Sequence, residues 1–116
     1  MRRRGFGILL AICLVTGQVS PAWPIWKEGH ALVQDCLSDN PGDQIDCLNY
    51  VAGVADMVDV MPETAGLAPV CIPPEGVTVG QMGRVVVKYL KNHPEEEHDA
   101  AVVLVVVALR EAFPCE

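Results

Sequence analysis

The chain has 116 residues with 15 acidic and eight basic side chains, a length that suits one small domain whose core alone stabilises it only marginally. Arg2, Arg3 and Arg4 precede all the acidic residues, and from Trp23 onward five basic residues face fifteen acidic ones, a net charge of −10. Such a surface repels phosphate backbones and anionic headgroups; it disfavours nucleic acid and membranes as partners, and its electrostatic complement is a basic protein.

In chain order the first element is an export signal. The three arginines are followed by an almost unbroken apolar stretch from Gly5 to Val15, the order a secretory signal peptide requires. The stretch falls short of the roughly 20 residues of a membrane-spanning helix, and Gly17, Ser20, Pro21 and Ala22 follow it instead of a stop-transfer sequence. We read 1–22 as a signal peptide and 23–116 as a single domain. Sites after Gly17 and after Ala22 both fit the small-x-small rule, and the second is preferred. Cys13 lies inside the apolar run and follows Ile12 where a lipoprotein needs a small residue, so it leaves with the signal. Cys36, Cys47, Cys71 and Cys115 then remain, an even number in an exported chain, which reads as two disulfides. No pair has the C-x-x-C spacing of a zinc or redox site.

Four helices are expected in the mature segment. The first runs from about Trp26 to Leu37 and ends at the breaker-rich stretch Ser38-Asp39-Asn40-Pro41-Gly42. The second, capped by Asp43, runs from Gln44 to Met61 with Cys47, Leu48, Val51, Val54, Ala55, Val58 and Met61 recurring at three and four. Residues 62–77 carry four prolines and form a long loop that Cys71 pins. The third begins behind Thr78, which with Gln81 makes a capping box, and runs to Asn92 with Met82, Val85, Val86, Tyr89 and Leu90 inward. The fourth opens at Pro94, takes Glu95, Glu96 and Glu97 into its first turn, and continues through ten apolar residues, Ala100 to Leu109, as a central helix. A buried strand is the alternative for that valine-rich run. The fold class is therefore all-α: a small, four-helix, disulfide-stapled domain with room for short extra helical turns. Proximity favours pairing Cys36 with Cys47 and Cys71 with Cys115, although three connectivities are open.

Catalytic chemistry is scarce. His30, His93 and His98 sit in no hydrolase or zinc motif, and four paired cysteines leave no free nucleophilic thiol. His93 and His98, beside Asp99, are five residues apart and do not share a helical face, so no metal or cofactor is expected. The chain reads as a binding protein and not as an enzyme.

An ordered series of residues resembles the Rap and Tai immunity proteins that protect bacteria from type VI secretion effectors. The series comprises Cys36, then Cys47, Tyr50, Gly53 and Asp56, then Cys71-Ile72-Pro73, Gly76-Val77-Thr78 and Gly80-Gln81. It continues through Val86, Lys88-Tyr89-Leu90 and His93-Pro94-Glu95 to Phe113-Pro114-Cys115. The resemblance implies a periplasmic, mostly helical protein, often a homodimer, that binds and blocks a secreted peptidoglycan amidase. In that reading Gly53 permits close helix packing, Gln81 serves the cap and Tyr50 packs with a polar tip. The exposed contact candidates are Asp39 and Asn40 in the first hairpin, Asp56 on the second helix, and Glu63 and Glu75 in the long loop. Two other classes stay open: an acid-stress periplasmic chaperone, whose mature charge would swing from −10 to about +8 at very low pH, and a non-enzymatic envelope binding module.

Overall fold

The computed structural model describes residues 26–61 and 69–116; the export segment, both cleavage positions and Glu63 lie outside them. Within the described residues the chain forms four helices, α1 (Gly29–Cys36), α2 (Pro41–Val60), α3 (Val79–Asn92) and α4 (Ala101–Ala112), with a 3₁₀ turn at Pro94–Glu96 between the last two. Every pair of helices is in contact. Among the described residues there is no β-strand, and no helix is long and apolar enough to cross a membrane.

The core follows the apolar spacing of the sequence. On α2, Cys47, Val51, Val54, Ala55 and Val58 are buried, while Asp46, Asn49, Asp56 and Asp59 are exposed. On α3, Met82, Val86, Tyr89 and Leu90 are buried, Val85 is half-buried, and Arg84, Lys88 and Lys91 face water. Leu32 is the fully buried contribution of α1. Ala101, Leu104, Val105, Val106, Ala108 and Leu109 make α4 the central helix, with Val103 at its one wet edge. The β-branched run is helical because it packs against three other helices, and tertiary packing outweighs an intrinsic preference of well under 1 kcal/mol per residue. No polar or charged side chain is buried among the described residues.

Three helix starts differ from the sequence reading. The second helix begins three residues early, at Pro41, and its cap is Asn40 and not Asp43: the Asn40 Oδ1 accepts from the Gly42 N–H at 2.8 Å. Proline is tolerated there because a first-turn N–H has no helical acceptor to lose. The first helix begins at Gly29 instead of Trp26, and the fourth at Ala101 instead of Pro94; one cause explains both. Glu28 and Ala100 form an isolated antiparallel bridge. Across it the Gly29 N–H donates to the Asp99 carbonyl at 2.8 Å, the His30 N–H to the Glu97 carbonyl at 2.7 Å, and the Ala101 N–H to the Lys27 carbonyl at 2.9 Å. Neither α1 nor α4 has a side-chain cap; each N-terminus is satisfied by backbone carbonyls preceding the other helix. That exchange needs Glu28 and Ala100 extended, so neither joins its helix. The three glutamates accordingly occupy a 3₁₀ turn and the residue after it, not the first turn of α4.

Two disulfides close the fold, Cys36 to Cys47 and Cys71 to Cys115, each with Cα atoms 5.0 Å apart. At the second, the Cys71 N–H donates to the Phe113 carbonyl at 3.0 Å and Val70, which is buried, bridges Pro114. Gly76, at φ 86°, turns the chain toward α3 in a conformation other residues rarely adopt. Thr78 caps α3, its hydroxyl accepting from the Gln81 N–H at 3.1 Å.

Candidate partner-binding surface

The hairpin between α1 and α2 is built from short polar side chains over the Cys36–Cys47 bridge. The Ser38 hydroxyl donates to Asp43 Oδ2 at 2.6 Å and accepts from the Asn40 N–H at 3.1 Å, while Gln44 Nε2 donates to the Ser38 carbonyl at 2.8 Å. These bonds and the bridge hold the turn in one shape. Asn40 is exposed, but its carbonyl oxygen is occupied in capping α2. Asp39 beside it is exposed and, among the described residues, makes no hydrogen bond or ion pair, which leaves its carboxylate available to a partner.

Asp56 and Glu75 are likewise exposed and have no partner among the described residues. The structure does not gather the candidates into one constellation. Asp56 lies sixteen residues from Asn40 along α2, about 24 Å at 1.5 Å per residue. A partner touching both would have to cover most of that helix. Gly53, on the same helix, has no packing role: it is exposed, and a methyl group there would meet nothing within 4 Å. The close helix approaches use Gly29 and Gly83 instead, where an added methyl group would collide with Leu104 and Leu48 respectively. Tyr50 is half-buried against the core with the Lys27 ammonium 5.7 Å from its ring centre, and burial raises its pKa. Lys27 also pairs with Asp35, fastening the extended entry segment to α1.

A second polar group closes the C-terminal end of α3. The His93 ring stacks on Tyr89 with centroids 4.0 Å apart and planes at 18°, and its Nδ1–H donates to the Tyr89 carbonyl at 2.9 Å. The Tyr89 hydroxyl donates to Glu96 Oε2 at 2.6 Å. Burial, that hydrogen bond, and the charges of Glu96, Glu111 and Glu95 all disfavour the phenolate and raise the Tyr89 pKa. Tyr89 is thus held as a neutral donor that ties the 3₁₀ turn to α3, the opposite of the activation a nucleophile or base needs. His98 pairs with Asp99 at 3.5 Å on the exposed turn and is remote from this stack in role. Among the described residues no group of three or more histidine, cysteine, aspartate or glutamate side chains could hold a metal ion.

Between α2 and α3 runs an open groove of about 500 Å³ that sequence reasoning did not single out. Arg84, Lys88 and Lys91, on the exposed face of α3, line it. The available signal was their i, i+4, i+7 spacing together with their being three of only five cations after Ala22. Gly29 and Gly83 were also missed, because a glycine inside an apolar pattern says nothing about which neighbour approaches it.

Comparison with known proteins agrees with a binding architecture. The family model of the Rap1a immunity proteins matches residues 28–115, from the extended segment before α1 to the last cysteine. No curated protein and no solved structure gives a significant match. Since that match spans all four helices and both disulfides, the chain belongs to the Rap1a immunity-protein family, and as a member it is not an enzyme.

Proposed function

We propose that this chain is a periplasmic immunity protein that binds a peptidoglycan amidase delivered by type VI secretion and occludes its substrate cleft. The family match over residues 28–115 carries the reading. Residues 1–22 direct export and are removed, which puts the domain where a cell-wall amidase acts. Inhibition is steric. Asp39 and Asn40 on the hairpin, with Asp56, Glu63 and Glu75, supply contacts; chemistry plays no part. Two disulfides and a hydrogen-bonded hairpin support this mechanism, because loops already held in shape lose little entropy on association. The charge of −10 speeds encounter with a basic cleft rim and makes association slow as salt rises. We further propose, on the family resemblance alone, that two copies of the chain can associate as a homodimer.

The decisive experiment directs a candidate amidase encoded in the neighbourhood of this protein's gene to the periplasm, with and without co-expression. Rescue of growth, together with a complex that survives gel filtration, supports the reading; toxicity unaltered by co-expression and absence of a complex sink it. Within that assay Asp39→Lys should weaken the complex about tenfold or more without unfolding the protein, since the side chain has no partner among the described residues.

A further inference from the structure

The groove between α2 and α3 is electrically unlike the rest of the molecule. Arg84, Lys88 and Lys91 line one side, Leu48, Val87 and the Cys36–Cys47 bridge contribute apolar surface, and no aspartate or glutamate borders it. Among the described residues none of the three cationic side chains has an ion-pair or hydrogen-bond partner, although the chain after Ala22 carries fifteen carboxylates. Their spacing stacks them on one face of α3 over about 10 Å, the length of about three residues of extended chain. The groove's volume of about 500 Å³ lies within the range of about 300–1,000 Å³ that binding sites occupy.

We propose that this groove docks an acidic, aliphatic peptide segment of a protein partner, with aliphatic side chains on the Leu48 and Val87 surface and carboxylates paired to Arg84, Lys88 and Lys91. A small inorganic anion would leave the apolar surface uncovered. An anionic bilayer would bring many charges against a domain of net charge −10, whereas a short segment meets mainly the local cations, because fields beyond about 8 Å are screened at physiological salt. The groove adjoins the hairpin that carries Asp39, sharing the Cys36–Cys47 bridge and Gln44 with it, but its lining includes none of the exposed carboxylates assigned to amidase binding, and its test does not depend on that assignment.

Gly80 provides a steric control. A methyl group there would meet nothing closer than Arg84 Nη1 at 3.8 Å and Thr78 Oγ1 at 3.9 Å, so a larger side chain can enter the groove without striking the backbone. The test measures fluorescence anisotropy of a labelled peptide of alternating leucine and glutamate, and of its glutamine counterpart, with the disulfide-bonded mature chain. The glutamate peptide should bind at least tenfold more tightly than the glutamine peptide, and its binding should weaken as salt is added. Arg84→Glu combined with Lys88→Glu should reduce its affinity at least tenfold. Gly80→Leu should do the same without changing any charge, and Asp59→Asn, on exposed α2 surface, should leave it unaltered. Circular dichroism checks each fold; if the charge-reversed chain does not fold, Gly80→Leu decides. Absent or equal binding of the two peptides, full affinity in a folded groove variant, or preferential binding to phosphatidylglycerol vesicles would overturn the proposal.

Discussion

A methyl group on Gly29 would lie 2.5 Å from Leu104 Cδ1 and 2.6 Å from the Glu97 carbonyl oxygen, and that carbonyl is itself bonded to His30. The backbone cannot yield without losing the exchange that satisfies two helix N-termini. Gly29→Ala is therefore expected to destabilise by about 2–3 kcal/mol, as overpacking at a fixed contact does, read as a lower denaturant midpoint at unchanged slope. Gly53 is the contrasting case. It lies in the interior of α2 with open space around it, so Gly53→Ala should stabilise by roughly 0.5–1 kcal/mol through helix propensity alone. If Gly53→Ala nevertheless weakens the amidase complex, a partner's surface approaches the helix there.

At the scale of elements, the C-terminal end of α3 depends on the neutral Tyr89 hydroxyl and its bond to Glu96. Because the folded state raises the Tyr89 pKa, it holds that proton more tightly than the unfolded chain does. Tyr89's contribution is fully present below its unfolded value, about 10, and is lost as pH rises through the higher folded value. Unfolding midpoints should thus be insensitive to Tyr89 from neutrality to about pH 9 and fall above about 10. Tyr89→Phe should cost about 1–2 kcal/mol at neutral pH and make the alkaline fall shallower; the part due to Tyr50, whose pKa burial also raises, should persist. An equally steep fall in Tyr89→Phe would refute this account.

The elements themselves were legible from spacing: the buried faces of α2 and α3 were readable because apolar residues recur at three and four, and Thr78 announced α3 through a local hydroxyl. The starts of α1 and α4 were not, because their caps are carbonyls some seventy residues away in sequence, and nothing in a local window encodes them. Asn40 was passed over for Asp43 because the Pro41-Gly42 pair reads as a break, although proline suits a first helical position. Among the surface candidates, Asp39, Asp56 and Glu75 are exposed, as polarity in turns and on a wet face implies. Their separation depends on the length of α2 and on where the hairpin turns. The cationic row was visible as spacing, but the apolar surface beside it depends on how α3 packs against α2, which no local window encodes.

For the molecule as a whole, the two bridges divide the work unequally. On the chain-entropy relation, the Cys71–Cys115 bridge, with a sequence separation of 44, stabilises by about 4 kcal/mol and the Cys36–Cys47 bridge, with a separation of 11, by about 3 kcal/mol. Replacing Cys71 and Cys115 together by serine should lower the unfolding free energy by more than replacing Cys36 and Cys47. The second pair of changes should cost less stability and in addition weaken binding, by loosening the hairpin that carries Asp39. Chemical denaturation of the two double variants, beside their affinities for the amidase, separates these effects.

The backbone exchange between residues 27–30 and 97–101 also sets an order of events. During synthesis the donors of α1 leave the ribosome early and wait for acceptors made near the end, so an amino-terminal half made ahead of the rest lacks the bonds that close its first helix. A chain that cannot complete its first helix until its last has arrived stays unfolded while it is being made. That is the condition in which a polypeptide can be threaded through a narrow translocation pore.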